Sequence, residues 1–153
     1  MKKIKIQDLM PGLVTGIEVL LPTKKAGFKE NYFEWTASPL VAKFATNEIS
    51  GGILESWHHV PVFTEIETHV DNEMFYFISG IARMLFIDMK NGKPDINTAQ
   101  VVRILPGTQI IISPGKAHFV PVAEDSMPFF AVVVSPKMAA PRISLLEPVE
   151  GIE

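Results

Sequence analysis

The stretch TEIETHVDNEMFYFISG, residues 64–80, gathers Glu65, Glu67, His69 and Glu73 before a run of aromatics that stops at Gly80. Side chains alternate along a strand, so Glu65, Glu67 and His69 fall on one face of a strand spanning 62–69. After the Val-Asp-Asn step, Glu73 shares a face with Phe75 and Phe77. If the two strands pair as a hairpin, Glu67, His69 and Glu73 converge at its base. One imidazole and two carboxylates suit Zn, Mn, Ni or Fe. A fourth ligand must come from elsewhere in the fold, and His118 is the candidate, because the turn SPGK delivers it to the start of another strand.

Plainer readings exist for the same residues. Glu65, Glu67 and His69 also fit a solvated strand face, and His118 alone fits a core or edge histidine. Glu73 resists such a reading, because Phe75 and Phe77 mark its face as buried and a buried carboxylate needs a partner.

The elements that must position these groups are short strands. Twelve prolines and ten glycines punctuate a chain of 153 residues. Between them, strands are expected at 40–49, 62–69, 73–79, 81–89, 98–104, 109–113, 118–122 and 129–135, with no long helical period. That pattern implies an all-β barrel or sandwich in a single domain. The Asn-Gly step of MKNGKPD predicts a tight hairpin, and LPGT and SPGK predict type II turns. Residues 1–39 are expected to form an N-terminal arm or edge strands, and the tail PRISLLEPVEGIE to pair at an edge or against a second subunit.

Composition narrows the function. With 47% hydrophobic and 20% charged residues, the chain is of ordinary globular type. Fourteen Lys+Arg against 17 Asp+Glu give a formal charge of -3, so no broad basic footprint for nucleic acid is present. The absence of cysteine excludes disulfides, thiolate ligands and cysteine nucleophiles. No apolar run approaches membrane-spanning length and the start lacks a signal-peptide core, so a cytoplasmic setting without membrane partners is expected.

Together these pieces resemble the cupin superfamily, small jelly-roll β-barrels of the double-stranded β-helix type. The first cupin motif is matched by Glu67-Thr-His69-Val-Asp-Asn-Glu73 and, after six intervening residues, Gly80. The second is matched by Gly107 and Pro114-Gly115-Lys116-Ala117-His118. The resemblance implies metal ligation by His69, Glu73 and His118. Glu67 stands where most cupins have a histidine, and serves either as a substitute ligand or as a general base. Val122 replaces the asparagine of the second motif, and Pro114 and Gly115 are adjacent where the motif separates them. A looser similarity, through Pro94-Asp95-Ile96-Asn97-Thr98 and Gly107, is to the ureidoglycolate lyase family, which splits ureidoglycolate into glyoxylate and urea.

The resemblance implies a metal-dependent enzyme acting on a small carboxylate-bearing substrate, ureidoglycolate first, with a homodimer as the expected assembly. Glu67 is the expected base, with His118 as the alternative. Lys116 is the expected cation for the substrate carboxylate, with Arg83 and Arg103 as further options. A sugar isomerase or another small-acid cupin is a second reading. The third is a non-catalytic cupin that binds a small ligand or serves as an oligomeric scaffold. His58 and His59 point to opposite faces of a strand, so at most one of them can join the site. Asn31, Tyr32 and Trp35 are candidates for the barrel mouth or a subunit edge.

Overall fold

The computed structural model describes residues 1–22 and 27–153; residues 23–26, within the expected arm, lie outside them. The strands are β1 (Lys2–Lys5), β2 (Gln7–Asp8), β3 (Ile17–Leu20), β4 (Phe28–Lys29), β5 (Glu34–Trp35), β6 (Ile49–Ser56), β7 (Val62–Glu67) and β8 (Glu73–Ser79). They continue as β9 (Ala82–Lys90), β10 (Lys93–Ile104), β11 (Gln109–Ile112), β12 (Ala117–His118), β13 (Val122–Ala123), β14 (Phe129–Pro136) and β15 (Arg142–Ile152). No helix among the described residues is long and apolar enough to cross a membrane.

The larger sheet runs β1-β15-β7-β12-β9-β10-β2, with β13 also on β9, and the smaller runs β3-β11-β8-β14-β6. Together they form a nearly closed, mixed β-barrel, the double-stranded β-helix expected of a cupin-type jelly roll. The alternation of β9 explains the layering. Ala82, Met84 and Phe86 enter a core shared with Phe75, Phe77, Ile110, Ile112 and Phe129 of the smaller sheet. Leu85 and Ile87 enter a second core with Phe63, Ile66, Val101, Ala117 and Val149. The larger sheet curls far enough for β15 to approach β10. A Cβ on Gly151 would lie 2.8 Å from Val101 Cγ1, so this crossing requires glycine.

Local chemistry accounts for the turns. Asn91 and Gly92 both have positive φ (52° and 73°) between paired Lys90 and Lys93, the type I′ geometry that an Asn-Gly step favours. The pairing of β10 with β9 shifts register between Asp95 and Gln100. There Thr98 Oγ1 donates to the Asp95 carbonyl (2.8 Å) and accepts from the Asp88 N–H (2.8 Å), which satisfies the interrupted ladder.

Several expectations are corrected. Residues 40–48 form no strand, because their backbone is held by side chains: Ala45 N–H donates to Asp71 Oδ2 (2.8 Å) and Asn72 Nδ2 donates to the Lys43 carbonyl (2.5 Å). The strand begins at Ile49 instead, as an edge beside β14. The tail is the long strand β15, set between β7 and β1. The first 39 residues need no such correction: β1 and β2 lie at the two edges of the larger sheet and β3 at an edge of the smaller, while β4 and β5 pair with each other.

Candidate metal centre

The first strand of the motif ends at Glu67, and His69 lies in the loop beyond it. That loop does not close a hairpin. β7 belongs to the larger sheet and β8 to the smaller, so residues 68–72 step between sheets and bring Glu67 and Glu73 together at one end of the barrel. The second motif arrives through β12, where His118 lies opposite Glu67 in the ladder. A backbone bond from Gly115 N–H to the His69 carbonyl (2.8 Å) ties the two motifs.

Four side chains meet there. Glu67, His69 and His118 offer ligand atoms that all lie within 4.8 Å of one another. Glu73 Oε2 is 3.0 Å from His118 Nε2 and 3.4 Å from His69 Nε2, while Glu67 Oε1 is 3.9 Å from each. His69 and His118 are buried, and their rings lie 5.2 Å apart. His118 Nδ1 contacts the Lys116 carbonyl at 3.1 Å. A carbonyl only accepts, so Nδ1 carries the proton and Nε2 is directed at the cluster.

Burial pushes the Glu73 carboxyl up, but hydrogen bonds from His118 and His69, together with their charges, outweigh it and hold the group at about 2. The Glu73 carboxylate in turn holds His69 above its usual value. Burial opposes this, and the Glu67 charge and the Ala139 carbonyl reinforce it.

The donor set suits a divalent ion. Among the described residues neither ring nitrogen of His69 makes a well-formed hydrogen bond, although both are buried and Nε2 lies 3.4 Å from Glu73 Oε2. Buried polar atoms of this kind are almost always satisfied, by protein, water or ion. Two imidazoles and two carboxylates also match the borderline-to-hard cations anticipated above. The cluster borders a cavity of about 180 Å³ lined by Glu67, Glu73 and His118 and otherwise by apolar side chains, among them Leu54, Phe75, Met84 and Val133.

The remaining candidates fall elsewhere. Lys116 is buried, but its ammonium is 2.5 Å from Asp88 Oδ1 and it does not line the cavity. Arg83 and Arg103 share the alternation of Leu85 and Val101 and so face away from the core beside the cavity. Both are held by Glu124 and Glu153. Glu65 reaches Arg142 at 3.4 Å. His58 Nδ1 contacts the Glu124 carbonyl (3.0 Å), and with Trp57 and His59 it lines a separate cavity of about 400 Å³ across the Phe119–Pro121 segment. Tyr32 and Trp35 are exposed on or beside the β4–β5 hairpin. Pro94–Thr98 builds the β10 irregularity and does not line the 180 Å³ cavity.

Sequence reasoning passed over Asp71 and Asn72, treated only as turn residues. A short polar pair between two candidate ligands was the available signal. The apolar wall at Leu54 and Val133 had no local signal, since it depends on β6 pairing with β14.

No family model matches the sequence, and no curated protein matches it. Among solved structures, the chain is similar to oxalate decarboxylase from Bacillus subtilis. A structure used to assign its Mn(II) centres aligns at 18% identity and a TM-score of 0.45. A tryptophan-to-phenylalanine variant aligns at 16% and 0.46. Each alignment covers 64% of this chain and 24% of that protein, so the chain spans about a quarter of its length.

Proposed function

We propose that this chain is a metal-dependent cupin enzyme acting on a small hydroxy acid, with ureidoglycolate the first substrate to try. The observation that carries the reading is His69: buried, with no well-formed hydrogen bond at either ring nitrogen among the described residues, and facing two carboxylates and a second histidine beside a cavity. His69, His118 and Glu73 would hold a divalent ion, Zn, Mn, Ni or Fe, with Glu67 as fourth ligand or base. Such an ion, when bound, supplies Lewis acidity to a substrate oxygen.

The chain's own groups divide the remaining work. Glu73, ionised down to about pH 2, is a poor base and a good anchor. His118 is oriented by the Lys116 carbonyl, which leaves only Nε2 for the cluster. Glu67 stands farther from both imidazoles and borders the cavity, so it is the group free to move a proton. With ureidoglycolate, Glu67 takes the hydroxyl proton, the carbon–oxygen double bond forms, and the carbon–nitrogen bond breaks. The electron pair goes to nitrogen, which takes the proton back from Glu67. Glyoxylate and urea result.

A sugar substrate fits less well, because a polyol needs many polar partners and this cavity offers three polar side chains. What weighs against a pure scaffold is that same cavity, since a scaffold has no need for open space beside its polar cluster. The expected homodimer draws support from β6, an edge strand among the described residues, and from exposed Phe28, Tyr32 and Trp35, and light scattering tests it. The test of function is metal content after purification without chelator, beside His69→Ala. Near-stoichiometric metal lost in the variant is expected. A wild-type protein that neither retains nor tightly takes up Zn, Mn, Ni or Fe would overturn the reading.

A further inference from the structure

We infer that the site takes acids with a single carboxylate and an uncharged, largely apolar remainder, and discriminates against dicarboxylates. The inference rests on the metal reading above, which supplies the ion for the chelating head.

The three polar side chains lining the cavity, Glu67, Glu73 and His118, all belong to the candidate ligand cluster. Beyond the cluster the walls are apolar, with Leu54, Phe75, Met84 and Val133 among them. Among the described residues no lysine or arginine lines the cavity, and four that could have served are engaged elsewhere. Arg83 and Arg103 contact Glu124 and Glu153, and Lys116 contacts Asp88. Arg142 lies 5.4 Å over the Phe119 ring and reaches Glu65.

Charge decides the outcome. Two carboxylates and two neutral imidazoles around a dication make a neutral site. One substrate carboxylate is then offset by its contact with the ion. A second, lodged against the apolar wall, would lose its hydration with no cation or donor among the described lining residues to replace it. An alkyl or other uncharged group meets the same wall favourably. Ureidoglycolate, with one carboxylate and an uncharged ureido group, meets the charge criterion, although its ureido group is polar. Rejection is achieved here by an unpaired charge, a common basis of specificity.

Two acids with the same 2-hydroxy acid head provide the test: 2-hydroxyhexanoate, and 2-hydroxyglutarate, whose remote carboxylate is too distant to add to the chelate. Calorimetric titration of the metal-loaded protein is expected to favour 2-hydroxyhexanoate by roughly tenfold or more. Leu54→Lys, at a half-buried position on the edge strand β6, is expected to raise affinity for 2-hydroxyglutarate while leaving metal content unchanged. Equal or tighter binding of 2-hydroxyglutarate by metal-loaded wild type would overturn this inference and leave the metal reading standing. A Leu54→Lys protein with no gain for 2-hydroxyglutarate would overturn it too. Failure of the wild type to hold metal overturns the metal reading itself, and this inference with it.

Discussion

His118 Nε2 lies 3.0 Å from Glu73 Oε2, although the two residues are 45 positions apart and belong to different sheets. Nδ1 of the same ring already donates to the Lys116 carbonyl. A hydrogen bond to an ionised carboxylate therefore needs a second proton, on Nε2. Any proton held between the two groups must leave when Nε2 becomes a ligand.

Metal loading is accordingly expected to release protons near pH 6. His69, held above its usual value by Glu73, adds to the release. Apparent affinity should rise with pH until His69 is neutral. Calorimetry in buffers of differing ionisation enthalpy measures the count, and binding near pH 6 with no proton exchange would contradict the arrangement.

The same shifts set the pH profile of metal-free stability. Glu73 falls from 4.5 unfolded to about 2 folded, so its contribution is fully present above pH 4.5 and is lost as pH falls toward 2. His69 is raised from 6.5, so its contribution is fully present below pH 6.5 and is lost as pH rises through the elevated value. The cluster should therefore stabilise the metal-free protein most between about pH 4.5 and 6.5. The Glu73 share is of order 2–3 kcal/mol. Glu73→Gln should flatten the acid limb of Tm against pH; an unchanged limb would remove Glu73 from the account.

Asp71 and Asn72 clasp the 43–45 segment from the loop that carries His69 and leads into Glu73. Asp71 is buried and accepts from Ala45 N–H (2.8 Å) and Asn72 N–H (2.7 Å). Asp71→Ala leaves those donors unpaired and should cost about 1–3 kcal/mol. Metal affinity should weaken as well, since the loop loses its fixed geometry. Hydrogen exchange should speed up at Ala45 and Asn72 first; exchange confined to distant strands would indicate general destabilisation instead.

How far the sequence could be read follows from which contacts are local. Alternation put Glu73 on the face of Phe75 and Phe77, and all three are buried together. The Asn91-Gly92 hairpin was legible because its turn chemistry is contained in two residues. The relation of β7 to β8 was not. A five-residue loop serves either a hairpin or a step between sheets, and the choice is made by β15, β12, β11 and β14, whose pairings lie far away in sequence. The Glu67–His69–His118 cluster was still readable, because a hairpin and a step between sheets both place the loop's two ends at one end of the barrel. The partners of Arg83, Arg103 and Lys116 were invisible for the same nonlocal reason: Lys116 meets Asp88 across 28 positions and Arg83 meets Glu124 across 41.

Lys116 offers the sharpest separation of a motif position from a chemical role. Its backbone carbonyl orients His118, whereas its side chain runs past Gly16 to Asp88, away from the cavity. Lys116→Met retains the carbonyl and most of the buried stem while deleting the charge. Asp88 is about half exposed, so water can replace the lost ammonium, and the stability change should stay within about 1 kcal/mol. Metal content and affinity for 2-hydroxyhexanoate should both match the wild type. A variant that keeps its metal and Tm but loses more than roughly tenfold in affinity for the acid would return Lys116 to the substrate-binding role its spacing first suggested.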